Sequence, residues 1–160
     1  MRAMIMLLSR RDLLGTLVAI VAEAPGLVRA QGTEKFKTGK LSIVSAGKRN
    51  NFTVELAITD RQQQQGLMYR RTLAPDAGML FDYVTPTRIT MWMKNTFIPL
   101  DMIFIGAEGK IVDIAERAVP QSEAIIPSKV PARAVLELNG GTAQRLGIKV
   151  GDIVETDALK

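Results

Sequence analysis

From residue 40 onward, short apolar runs alternate with polar turns. Phe52, Val54, Leu56 and Ile58 alternate with Thr53, Glu55, Ala57 and Thr59, a period of two that predicts a half-buried strand. Leu41–Val44, Met79–Phe81, Ile89–Lys94, Leu100–Ile105, Ile111–Glu116, Ala134–Leu138 and Gly151–Glu155 read as further strands. Lys48–Asn51, Ala74–Gly78 and Glu108–Gly109 carry turn chemistry. Thr59 or Asp60 is placed to cap a short helix over Arg61–Met68, with its four glutamines on an exposed turn. Asn139-Gly140-Gly141 leads into a second short helix, Thr142–Leu146, closed by Gly147. Pro120, Pro127 and Pro131 mark 119–131 as a surface connection. No βαβ rhythm is present. The pattern predicts a mostly β fold, a compact sandwich or barrel with one or two short helices, as a single domain over 40–157 after a polar lead-in at 31–39.

The richest stretch is MWMKNTFIPLD, residues 91–101, with the chain's one Trp. Read as a hairpin looped at Asn95–Ile98, it sets Lys94 opposite Pro99, Met93 opposite Leu100, Trp92 opposite Asp101 and Met91 opposite Met102. Strand side chains alternate between faces. Met91, Met93, Leu100, Met102 and Phe104 then form an apolar face, and Thr90, Trp92, Lys94 and Asp101 share the other. A slip of one residue would separate Lys94 from Asp101. A Trp ring beside an ammonium and a carboxylate suits a polar ligand with one flat side, such as a sugar or a small acid. The plainer alternative is a cross-strand ion pair with Trp92 as packing, contributing about 0.2–1 kcal/mol.

Composition narrows the chemistry. Cys and His are absent, which removes disulfides, thiolate nucleophiles, Cys/His zinc sites and His bases. Any catalysis must use carboxylates, Lys, Tyr, Ser or Thr, or an external cofactor, and nothing in the sequence calls for a cofactor or metal. Ser42, Ser45, Ser122 and Ser128 lack a nucleophile motif and read as surface residues. Met68, Met79, Met91, Met93 and Met102 lie close enough in sequence to raise soft-metal binding, but three of them fall on the predicted core face, where Met is ordinary filling. The net charge is +5, from 21 basic and 16 acidic residues. Without Arg2, Arg10, Arg11, Arg29, Asp12 and Glu23, 17 basic and 14 acidic residues remain, with no cluster beyond pairs such as Arg70–Arg71. That argues against nucleic acid as a partner.

The first thirty residues read as an address. Ser9-Arg10-Arg11-Asp12-Leu13-Leu14 resembles a twin-arginine export signal, an apolar run follows to Ala22, and Val28-Arg29-Ala30 offers a small-residue cleavage site. The expected location is a bacterial periplasm. An uncleaved segment would instead tether the domain to the inner membrane, the one way the membrane becomes a partner.

Gly66-Leu67-Met68, Arg70 or Arg71, Gly78-Met79-Leu80-Phe81, Met91 to Thr96, Pro99-Leu100-Asp101, Val135 to Leu138 and Gly151-Asp152 follow one another in order. Together these resemble the bacterial and archaeal family called domain of unknown function 192, over about Lys40 to Glu155. The resemblance implies a single β-rich domain, often exported or membrane-anchored, with no established activity. Its motif spans the polar face of the hairpin as well as the core face. Trp92, Lys94, Asn95, Thr96 and Asp101 are therefore candidate ligand-binding residues, with Arg70 and Glu137 as further candidates. The expected role is binding of a small polar ligand, carbohydrate-like among others, or of a periplasmic protein. The alternative is a hydrolase or lyase using Asp101 or Glu137 with Lys94 for acid–base chemistry.

Overall fold

The computed structural model describes residues 34–160. The export motif, the apolar run and the cleavage site lie outside the described residues. The strands are β1 (Lys37–Ser45), β2 (Lys48–Ala57), β3 (Ala77–Thr87), β4 (Thr90–Met91), β5 (Leu100–Ile105), β6 (Ile111–Ala118), β7 (Ile126–Pro127), β8 (Ala132–Asn139) and β9 (Ile153–Thr156). The helices are α1 (Asp60–Gln65) and α2 (Thr142–Leu146), and a 3-10 turn at Asp157–Leu159 ends the chain.

Seven strands form one sheet in the order β6-β5-β8-β3-β2-β1-β9, antiparallel except for the parallel β2–β3 pair. The sheet curls into a half-barrel. At one end its two edges meet. Lys110, just before β6, bridges Ile153 of β9, and the Val154 N–H donates to the Gly109 carbonyl at 2.7 Å.

The curl gives the sheet two buried faces. Inside it lie Leu41, Ile43, Val54, Leu80, Ile103 and Leu136. Outside it Met79, Phe81, Met93, Leu100, Met102 and Phe104 pack with the segments that cross the convex face. Every residue of β5 is buried, as expected of a central strand covered on both sides. Fully burying one such side chain stabilises the fold by about 1.5–3 kcal/mol. The short β4–β7 ribbon belongs to the outer layer.

Several elements differ from their sequence reading for definable reasons. β1 starts at Lys37, inside the predicted lead-in. Lys48–Asn51 is strand, because Ala46 (φ 48°) and Gly47 (φ 78°) make the turn in two left-handed residues and the ladder resumes at Lys48. α1 carries the full capping box of Thr59 with Gln62 and stops at Gly66. Its glutamines do more than face water. Gln63 Nε2 donates to the Asp82 carbonyl at 2.8 Å, and Gln65 Oε1 accepts from the Glu34 N–H at 2.7 Å. Ser45 and Ser128 are buried: Ser45 donates to the Gly147 carbonyl, and Ser128 accepts from the Ile89 N–H.

Candidate functional site

The predicted hairpin does not form. β5 pairs with β6 and β8, while the chain from Ile89 to Met93 runs beside the three-proline connection. Thr90 and Met91 pair with Pro127 and Ile126, and the Met93 N–H donates to the Ser122 carbonyl at 2.9 Å. The segment 119–131 is thus a structural partner that takes the backbone bonds the hairpin would have made. Met91, Met93, Leu100, Met102 and Phe104 still meet on one apolar face, in the outer core. With Met79 also there, four of the five methionines discussed above serve as filling.

The polar face splits. Trp92 stays 44% exposed with the Lys94 ammonium 5.3 Å from its ring centroid, and Lys94 Nζ lies 3.5 Å from Glu123 Oε1. Asp101 is elsewhere. The alternation of β5 turns it to the inner side with Ile103 and Ile105, where it is 0% exposed. Its carboxylate accepts from the backbone N–H groups of Arg117 (2.8 Å), Gly141 (2.9 Å) and Ala143 (2.8 Å). Asp101 therefore ties β6 and the α2 entry to β5, and no Trp–Lys–Asp triad exists.

Three other candidates are fasteners. Asn95 adopts φ 55°, its carbonyl accepts from the Tyr69 N–H at 2.8 Å, and its amide donates to Tyr69 Oη at 3.0 Å. Buried Thr96 donates to the Lys94 carbonyl, and its own carbonyl accepts from the Gln121 N–H at 3.0 Å. The Arg70 guanidinium is committed two-pronged to the Glu55 carboxylate and lies 5.8 Å from the Phe36 ring centroid.

Glu137 is different. The register of β8 sets it beside Met79 of β3 and Met102 of β5, on the outer, apolar face. Gly78 lets the strands close here, since a Cβ on it would lie 2.6 Å from the Glu137 carbonyl oxygen. Glu137 is 4% exposed, and no described residue donates a hydrogen bond to its carboxylate. No fully enclosed side-chain polar atom among the described residues lacks a partner. The bare carboxylate therefore borders open space: a chamber of about 90 Å³ whose walls include Tyr83, Trp92, Met91, Met68 and Thr96. Burial pushes the Glu137 carboxyl up to about 8. Burial, and secondarily the charge of Glu137, pushes the Tyr83 hydroxyl up to about 12.

The chamber shares Gln63, Gln64, Tyr83, Thr90, Met91 and Trp92 with a groove of about 700 Å³ between α1 and the β4 region, bordered also by Asp60 and Ile125. The loops beside it hold three non-glycine residues with left-handed backbone, Tyr69 (φ 65°), Asn95 (φ 55°) and Gln121 (φ 61°), a concentration of local strain. A separate cleft along β9 holds the pairs Arg49 with Glu155 and Lys160 with Asp157, and is lined also by Lys40 and Glu108.

Sequence reasoning missed Tyr83, Gln63, Gln64, Thr90 and Met91. For Tyr83 a signal existed: the alternation Met79, Phe81, Tyr83 continues one face of β3. Gln63 and Gln64 come from α1, and Thr90 and Met91 from β4, which pairs with the 119–131 connection instead of the main sheet.

No curated protein matches the chain at a significant level. Solved structures similar to it include two bacterial proteins. A protein of Sinorhizobium meliloti 1021, described as a candidate transcription regulator, is 49% identical, with a TM-score of 0.77 over 79% of this chain and 99% of that one. A protein of unknown function from Novosphingobium aromaticivorans DSM 12444 is 42% identical, with a TM-score of 0.73 over 88% of this chain and 99% of that one. The sequence profile of DUF192, described as Uncharacterized ACR, matches residues 42–156, and the chain belongs to that family.

Proposed function

We propose that the domain is an exported binding module for a small molecule, one with an apolar or flat body lying against Trp92 in the groove and a short polar head reaching Glu137. One observation carries this reading: a carboxylate without a hydrogen-bond partner among the described residues faces a chamber at the inner end of a groove. Burying a carboxyl with no hydrogen-bond partner is costly in either protonation state, so one kept this way points to a ligand that supplies the missing partner. Helices of six and five residues favour this over helix-in-groove reading of DNA.

Trp92 supplies the test, because it is the chain's one Trp and borders both cavities. Titrating the purified chain with small ring compounds bearing one polar substituent is expected to shift its emission saturably and raise the melting temperature. A panel of amines, alcohols, sugars and acids that leaves both unchanged at millimolar concentration would remove this reading.

Export rests on the Arg10-Arg11 pair and the segment after it. Substituting both arginines by lysine is expected to shift most of the protein from the periplasmic to the cytoplasmic fraction. Unchanged fractionation would overturn the twin-arginine assignment.

A further inference from the structure

We infer that the head group accepted by the chamber is a protonated amine, held between the Glu137 carboxylate and the faces of Trp92, Tyr83 and Phe81. The inference rests on the binding reading above and narrows its ligand class.

Three observations support it. The first is charge. The protein as a whole carries +5, yet among the described residues no Lys or Arg lines either the chamber or the groove. Their charged side chains are Glu137 within and Asp60 at the outer part. Lys94, over the Trp92 ring, is paired with Glu123. Among the described lining residues a cationic ligand would thus meet acids and no positive charge.

The second is surroundings. Three aromatic residues border the chamber with Glu137, and aromatic faces attract ammonium groups, most strongly when water is excluded. The remaining wall mixes the thioethers of Met68 and Met91 with Gln63, Gln64, Thr90 and Thr96, and none of these side chains donates to the Glu137 carboxylate. A ligand N–H would supply the donor that the carboxylate lacks.

The third is size. At about 30 Å³ per water, 90 Å³ holds about three waters. That admits an aminomethyl group and excludes a sugar ring, which would have to stay in the groove.

Binding carries a proton consequence. The groups facing Glu137 are Tyr83 from β3, Met79 and Met102 across the ladder, the uncharged Gln63 and Gln64 of α1, and Met91 and Trp92, with Asp60 farther out in the groove. None is a cation, so the carboxyl is mostly protonated at neutral pH and must release that proton to pair with an ammonium.

The experiment compares benzylamine, benzyl alcohol, benzoate and methyl glucoside on the full chain and on Glu137→Gln, followed by Trp92 emission. Benzylamine is expected to bind at least tenfold more tightly than benzyl alcohol at pH 7.5, and benzoate least. Glu137→Gln is expected to abolish the amine preference. Calorimetry of the unaltered protein at pH 7, in two buffers of different ionisation enthalpy, is expected to show release of about one proton with the amine and none with the alcohol. That measurement decides even if the variant folds poorly. Equal binding of alcohol or glucoside and amine, with no proton release, would overturn the amine assignment and leave the small-molecule reading standing. Binding of none of the four would overturn both.

Discussion

Replacing Asp101 with Ala is expected to lower the unfolding free energy by roughly 3–6 kcal/mol, a large part of the 5–15 kcal/mol typical of a domain. The substitution leaves three N–H groups, those of Arg117, Gly141 and Ala143, facing a methyl group instead of a carboxylate. Each unpaired buried donor costs about 1–3 kcal/mol. Two of the three residues are held with left-handed backbone, Arg117 at φ 50° and Gly141 at φ 87°, so the loss also frees conformations the carboxylate now fixes. Asp101→Asn keeps one acceptor oxygen but turns an amide donor toward an N–H, and it should lose most of the same stability. Urea unfolding measures both. The folded fraction of either variant should bind Trp92-reporting probes as the unaltered protein does, because Asp101 lies on the opposite face of the sheet. A stability loss below about 1 kcal/mol, or a selective loss of ligand binding, would return Asp101 to a functional role.

Glu137→Gln is expected to behave in the opposite sense, and only at high pH. The carboxyl titrates near 8 in the folded protein, against 4.5 ordinarily, because burial disfavours its charged form. Below about pH 4.5 the folded and unfolded chains both hold the proton, and the stability associated with it is complete. Between 4.5 and 8 the folded chain keeps a proton that the unfolded chain has shed, so stability falls as pH rises, by about 1.4 kcal/mol per pH unit at most. Above 8 the fall is complete, at an order of magnitude of a few kcal/mol. Gln, close in shape to the neutral acid, carries no such slope. The variant should match the unaltered protein near pH 4 and exceed it near pH 9, with a melting temperature about 10 °C or more higher. Every other titrating group is common to the two proteins, so the difference curve isolates Glu137. Parallel melting profiles from pH 4 to 9 would show that the carboxyl is not held protonated. A residue whose replacement stabilises the domain is the pattern expected where a site is kept for binding rather than for folding.

Most of the fold was legible in the alternation of apolar and polar residues. β2 read correctly because one buried face imposes period two, and β5 and β8 because short, mostly apolar runs bounded by turn residues mark strands buried on both sides. α2 read correctly because Gly141 and Gly147 bracket it in left-handed conformations. The error at 91–101 has a specific cause. Periodicity reveals which side chains share an environment, and it did collect Met91, Met93, Leu100, Met102 and Phe104; it does not reveal which backbone supplies the hydrogen bonds. Thr90 and Met91 found partners in Ile126 and Pro127, some 36 residues away by their numbers, and Asp101 went with β5 to the inner side. Glu137 was visible as a candidate, but its isolation was not. That no cation would face it follows from Lys94 closing on Glu123 and Arg70 on Glu55, pairings made by loops that carry no strong sequence pattern.

The double-sided sheet has a consequence for how this architecture diversifies. The strands are clamped from within by Ile43, Val54, Leu80, Ile103 and Leu136, and the rim is fastened where Gly109 and Lys110 meet β9. The groove, by contrast, is assembled from crossings laid over the outside. Selection can therefore rewrite those crossings, and with them the preferred guest, while the half-barrel beneath keeps its own anchorage. Glu137, with Phe81 and Tyr83 of β3, roots the recognition surface in that scaffold, so descendants that exchange Glu137 change chemistry without changing shape.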